Sequence, residues 1–98
     1  MLESGLESKV VKWAEAQGGE APKLVLVNER GFPDRTLLLP GGRMLLVELK
    51  RPGKSKKYEQ QKKWVNRLQE LGFVADFFDN LDDIERAYHD TWGIQSGG

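Results

Sequence analysis

A mixed α/β domain of order αβββαβα is the architecture this chain of 98 residues predicts. Three features carry that reading. Apolar residues recur at helical spacing near both ends of the chain. A β-rich hairpin is centred on Pro40-Gly41-Gly42, and a second amphipathic helix lies between Pro52-Gly53 and Gly72. The length is that of one domain, residues 1–98, small but able to hold a modest core.

Each element has a local cause. Leu6, Val10, Trp13, Ala14 and Gln17 return every three or four residues, and Gly18-Gly19 stops that first helix. Lys23 to Asn28 is rich in β-formers and closes at the turn around Gly31-Phe32-Pro33, so it is expected to form the first strand. Thr36 to Leu39 and Met44 to Lys50 are the hairpin strands. Their apolar runs are continuous rather than alternating, which predicts a sheet covered on both faces. A helix is expected from about Lys56 to Leu71, with Tyr58, Trp64, Val65, Leu68 and Leu71 as its apolar stripe and Gly72 as its stop. Phe73 to Phe78 reads as a fourth strand. Asn80 or Asp82 then caps a last helix carrying Ile84, Ala87 and Tyr88.

Composition narrows the chemistry. Cysteine is absent, which excludes a disulfide framework, a cysteine zinc site and a cysteine nucleophile. No apolar run reaches transmembrane length and the Met1-Leu2-Glu3-Ser4 start does not read as a signal peptide, so a soluble intracellular protein is expected. The net charge is zero but strongly segregated. Residues 1–49 carry six basic and seven acidic groups; residues 50–67 carry eight basic groups against Glu59; residues 68–98 carry Arg86 against seven acids. A basic stripe of this kind is what a phosphate backbone would meet, with Lys54, Lys56, Lys57 and Lys62 as the expected contacts.

The stripe begins at the chain's most specific pattern. Pro33-Asp34 and Glu48-Leu49-Lys50 are separated by a strand, a glycine turn and a second strand. Glu48 and Lys50 are two apart and share a face of an extended strand, while Leu49 points away. A two-residue Gly41-Gly42 turn would set Asp34 against Leu49, on the wrong side. A three-residue loop, Pro40-Gly41-Gly42, sets it against Glu48, so the chemistry predicts an odd-length loop or a bulge near Asp34. Two carboxylates on one face suit a hard cation such as Mg²⁺ or Mn²⁺, and a metal-bound water beside an ammonium group is a nucleophile for a phosphodiester. A lone ExK triplet is common. The doublet with this spacing and these flanks is not.

Two further residues join the pattern. Gln61 falls in the middle of the second helix's apolar stripe, where a buried amide needs partners, and the end of the ExK strand would supply them. Glu7 lies on the flank of the first helix's apolar arc, within reach of the sheet edge, and Glu3 shares that side. The only histidine, His89, sits in the acidic last helix and reads as a surface residue. There is no glycine-rich phosphate loop and hence no expected nucleotide cofactor.

Taken together, Glu7 … Gly31-Phe32-Pro33-Asp34-Arg35 … Glu48-Leu49-Lys50-Arg51-Pro52-Gly53 … Gln61-Lys62-Lys63-Trp64 … Leu71-Gly72 resembles the VRR-NUC (virus-type replication-repair nuclease) branch of the PD-(D/E)xK nucleases over residues 7 to about 79. The resemblance implies a restriction-endonuclease-like core and metal-dependent phosphodiester hydrolysis. Asp34, Glu48 and the Leu49 carbonyl would hold one or two Mg²⁺ or Mn²⁺ ions. Lys50 would orient water or stabilise charge, Gln61 would be an active-site partner, and Glu7 an auxiliary acid. Stand-alone members, from phages and bacteria, look like homodimers that cut branched DNA such as four-way junctions, which implies the cytoplasm of a bacterial or phage-infected cell and a role in DNA repair. A four-way junction and an isologous dimer share two-fold symmetry. Trp92 and Ile94, if exposed, would serve the dimer interface, or they would pack on their own core. Two rival readings remain. One is a non-catalytic DNA-binding module of the same fold, whose signature would be loss of Asp34, Glu48 or Lys50. The other is a restriction-type endonuclease, which needs a base-reading element that 98 residues barely accommodate.

Overall fold

Residues 2–49 and 56–94 are described by the structure, a computed structural model. The order is α1 (Leu2–Ala16), β1 (Arg35–Leu39), β2 (Arg43–Leu49), α2 (Lys56–Glu70), β3 (Val74–Phe78) and α3 (Leu81–Trp92). The strands form one mixed sheet, β1-β2-β3, antiparallel between β1 and β2 and parallel between β2 and β3. Among the described residues no helix is long and apolar enough to cross a membrane.

Both faces of the sheet are covered, as the continuous apolar runs predict. On one face Leu37, Leu39, Leu45, Val47, Leu49 and Phe78 pack with Val10, Trp13 and Ala14 of α1 and Ile84 and Tyr88 of α3. On the other, Leu46 and Ala75 pack with Leu68 of α2, joined by Phe32, Met44 and Trp64. Each fully buried leucine contributes about 1.5–3 kcal/mol relative to an exposed one. Trp13 meets Tyr88 edge-on at 5.3 Å, which ties α1 to α3.

The helix signals act where expected. Asn80 caps α3 by accepting from the Asp83 N–H, and Gly93 closes it in the left-handed conformation. After α2, Gly72 takes φ 97° and the Phe73 N–H returns to the Leu68 carbonyl. Leu71 is not part of the buried stripe; just past the end of α2 it is 54 % exposed. Trp92 and Ile94 pack partly buried against the main core, so they are not the exposed apolar groups the sequence allowed.

The first of the four expected strands does not form. Lys23 to Asn28 runs beside the sheet without joining it. The outer edge of β1 is occupied instead by residues 20–22: Glu20 and Leu38 exchange backbone bonds, and the Thr36 N–H reaches the Pro22 carbonyl. Beyond Thr36 the chain bends at Asp34, where β1 has not yet begun, so residues 23–28 find no continuation of β1's outer edge to pair with. Val25 and Val27 accordingly stand 86 % and 85 % exposed. Their β-propensity describes a pleated, half-buried surface that this position does not offer.

Candidate active site

The hairpin decides the site's geometry. β1 and β2 are joined by the three-residue loop Pro40–Gly42, with Gly41 at φ 81° and Gly42 at φ 74°, torsions that favour glycine. The register pairs Arg35 with Val47 and Leu39 with Arg43. One step further along the same register, Asp34 stands across from Glu48. Of the two arrangements the chemistry allowed, an odd-length loop or a bulge near Asp34, this is the odd-length loop.

Asp34 sits in the bend that opens β1 and is half-buried. Its Oδ2 accepts the Leu49 N–H at 2.8 Å, so its carboxylate is anchored to the end of β2. Glu48 lies on the α2 face of the sheet with 1 % of its surface exposed. Gln61, 5 % exposed, donates from Nε2 to Glu48 Oε2 at 2.7 Å. The amide predicted from its place in the apolar stripe therefore bonds directly to a candidate metal-binding carboxylate. A bonded amide both offsets part of the cost of burying a charge and fixes the carboxylate's rotamer.

The segment Gly31–Asp34 docks this site onto α2. Gly31 takes φ 86°, and a Cβ there would come within 2.7 Å of the Gln60 carbonyl carbon and 2.8 Å of its oxygen. Only glycine permits that approach to a helix backbone. Phe32 meets Trp64 edge-on, ring centroids 5.2 Å apart, and Pro33 is fully buried. Asp34 and Gln61 thus belong to two elements held together by a backbone contact and an aromatic pair. The sequence marks Gly31 as a turn residue; that it also seats a helix was not legible.

Glu7 reaches the sheet edge, where its partners are cations. Its Oε2 accepts Arg35 Nε at 2.9 Å and pairs with Lys23 Nζ at 3.5 Å. Partial burial pushes its pKa up, but the Arg35 and Lys23 charges outweigh this and hold it below the ordinary glutamate value. Arg35 also donates to the Ala21 carbonyl at 2.7 Å, so it clamps α1 and the 20–22 segment to β1 beside Asp34. The motif Gly31-Phe32-Pro33-Asp34-Arg35 contains Arg35, but no local signal marks its contact with Glu7, 28 residues away. Glu3 lies in α1, but its side chain, like that of Lys56 at the start of α2, is not among those described. Lys50 and Lys54 lie outside the described residues. Lys57 and Lys62 are exposed on α2.

Among the described residues no group of three or more His, Cys, Asp or Glu converges. The donor set is smaller: the carboxylates of Asp34 and Glu48 at one end of the hairpin and the backbone carbonyl of Leu49 next to Glu48. All are oxygen donors, the kind that Mg²⁺ and Mn²⁺ prefer. The residues present fit a hard divalent ion.

No family model matches the chain. A relative in Acyrthosiphon pisum secondary endosymbiont phage 1, named "Putative nuclease p44", is 35 % identical over 80 residues, which span 82 % of this chain and 85 % of the relative. A solved structure described as "VRR_NUC domain" superposes with a TM-score of 0.77, covering 92 % of this chain and 97 % of its own, at 22 % identity, and so has the same fold. With Asp34 and Glu48 at one end of a hairpin of that fold, and a 35 % identical nuclease matching most of its length, the chain belongs to the VRR-NUC family of nucleases.

Proposed function

We propose that the protein is a metal-dependent, structure-selective DNA endonuclease that hydrolyses phosphodiester bonds in branched DNA such as four-way junctions, acting as a homodimer. The observation that carries this reading is the buried Gln61–Glu48 bond at the end of the hairpin where the Leu49 N–H holds Asp34. That is machinery for a reaction, since a fold needing only stability would bury an apolar pair there.

Asp34, Glu48 and the Leu49 carbonyl would hold the ion. A bound Mg²⁺ or Mn²⁺ supplies a water of lowered pKa and offsets charge that builds on the scissile phosphate. The chain's own residues do the positioning. Gln61 fixes one oxygen of Glu48, and the Leu49 N–H fixes one oxygen of Asp34. Lys50 follows directly in sequence, and its proposed part is to stabilise the negative charge of the five-coordinate phosphorus. The basic run Lys54, Lys56, Lys57 and Lys62 would track the backbone into the site.

Homodimerisation rests on the match between a two-fold junction and an isologous pair. Since Trp92 and Ile94 pack inward, the apolar surface that suits such a contact is Leu24, Val25 and Val27, exposed close together in sequence. The deciding experiment offers duplex, flap, splayed and four-way DNA with Mg²⁺ or Mn²⁺ and maps the cuts. Metal-dependent incision near the branch point is expected. Equal cutting of plain duplex would remove the structure selectivity, and no cutting with either ion would remove the nuclease.

A further inference from the structure

A cleft of about 630 Å³ opens between the turn at Asn28–Arg30 and the outer face of α2. That volume lies within the roughly 300–1,000 Å³ range of small-molecule sites. Its walls carry the cations Arg30, Lys63 and Arg67, the amides of Asn28 and Asn66, and the indole of Trp64. Asn28 adopts φ 64°, a left-handed torsion that asparagine tolerates better than most residues, and this turns the loop to face the helix. Phe32, packed edge-on against Trp64, fixes the indole as a platform.

We propose that this cleft seats one unpaired DNA nucleotide next to the cut site. The proposal rests on the endonuclease reading and adds its basis for choosing branched DNA. The composition of the walls selects the ligand. Two carboxylates, Glu29 and Glu70, also border the cleft, and Glu70 sits 3.3 Å from Arg67. A site for a free anion would not carry them. A nucleotide has use for each group: phosphate for the cations, a π-face for the indole, and amine and carbonyl edges for the carboxylates and amides. Paired bases present neither face nor Watson–Crick edge, so continuous duplex leaves the cleft unused.

The cleft shares structure with the catalytic end of the hairpin. Gln60, on its wall, is the residue against which Gly31 packs, and Gln61 next to it holds Glu48. Arg30 precedes Gly31 at the other rim. A nucleotide seated here is placed by the same loop that carries Asp34.

The test is binding by the full chain in EDTA, so that the DNA stays intact, to splayed and fully paired DNA of equal length. The splayed arm carries 2-aminopurine, an adenine analogue whose fluorescence falls on stacking. Wild type should quench the analogue and prefer the splayed DNA. The exposed pair Lys63→Ala/Arg67→Ala and the single change Asn66→Ala should weaken splayed binding about tenfold more than duplex binding, the scale of one stacked, held base. Trp64→Phe keeps an aromatic ring against Phe32 and should retain part of the quenching, whereas Trp64→Leu should remove it. Equal losses on both DNAs, or an unquenched analogue in the wild-type complex, would overturn the proposal. Cleavage of splayed DNA with Mg²⁺, scored separately, tests the endonuclease reading alone, because the binding readout needs no turnover.

Discussion

Glu48 and Gln61 are both polar residues at positions that their apolar neighbours assign to the interior. Glu48 sits in the apolar run of β2 and is 1 % exposed, and Gln61 interrupts the stripe of α2 and is 5 % exposed. Buried polar groups need partners, and these two have each other at 2.7 Å. Replacing Asp34, Glu48 or Lys50 by alanine should lower cleavage by at least about a hundredfold while circular dichroism reports a folded protein and gel shifts report retained DNA binding. Near wild-type turnover by any one would refute its assignment. Gln61→Ala should lower both activity and stability, the latter by about 1–3 kcal/mol, because it strips a partner from a buried carboxylate; an unchanged urea midpoint would dissociate Gln61 from Glu48. Glu7 behaves differently, because its partners are the cations Arg35 and Lys23. Its folded pKa lies below the unfolded value, so the stabilisation is present above the unfolded pKa and is lost as pH falls through the folded one. Wild type should therefore exceed Glu7→Gln by a few tenths to about 1 kcal/mol at neutral pH, and the two should converge in acid below the ordinary glutamate range. A gap that persists there would mean Glu7 acts through packing rather than charge.

Helices and the hairpin could be read element by element because their causes are local: caps, glycine stops, apolar periods and a loop length. The strand expected at Lys23 to Asn28 failed because its fate depends on a non-local event, the capture of β1's outer edge by residues 20–22. Propensity cannot register that competition. The same holds for Gly31, whose role is set by the backbone of α2 packed against it. Gly31→Ala would force both a positive φ on alanine and a 2.7 Å collision with Gln60, so a loss of about 1–3 kcal/mol is expected. Urea unfolding would read it, and a loss in cleavage larger than that in stability would mean the loop also aligns Asp34 with Gln61. The basic segment that leads into α2 makes its own prediction. Neutralising Lys54, Lys56 and Lys57 together should weaken DNA binding and flatten its salt dependence, by up to about 0.9 in slope for each phosphate the variant no longer neutralises. An unchanged slope would show that this stripe does not face the backbone.

At the scale of the molecule, the charges and the exposed apolar surface lie in different parts of the chain. Eight of the fifteen basic residues fall within residues 50–67, whereas residues 68–98 are acidic, so a neutral chain can hold DNA on one side and be repelled on another. The apolar run Leu24, Val25 and Val27 belongs to neither charged region. Two valines standing 86 % and 85 % exposed are the apolar surface that the proposed second copy would cover. The proposed homodimer would bury them and set two hairpin sites in two-fold relation, as a four-way junction requires for paired incisions. Sedimentation at micromolar concentration should give a dimer for the wild type. Val25→Glu combined with Val27→Glu should give a folded monomer, since both side chains already lie in solvent and their replacement leaves the core untouched. On a junction labelled on two strands, the wild type should make both cuts within one binding event, and the monomer should nick singly. A wild-type monomer that cuts plain duplex as fast as a four-way junction would sink both the assembly and the selectivity derived from it.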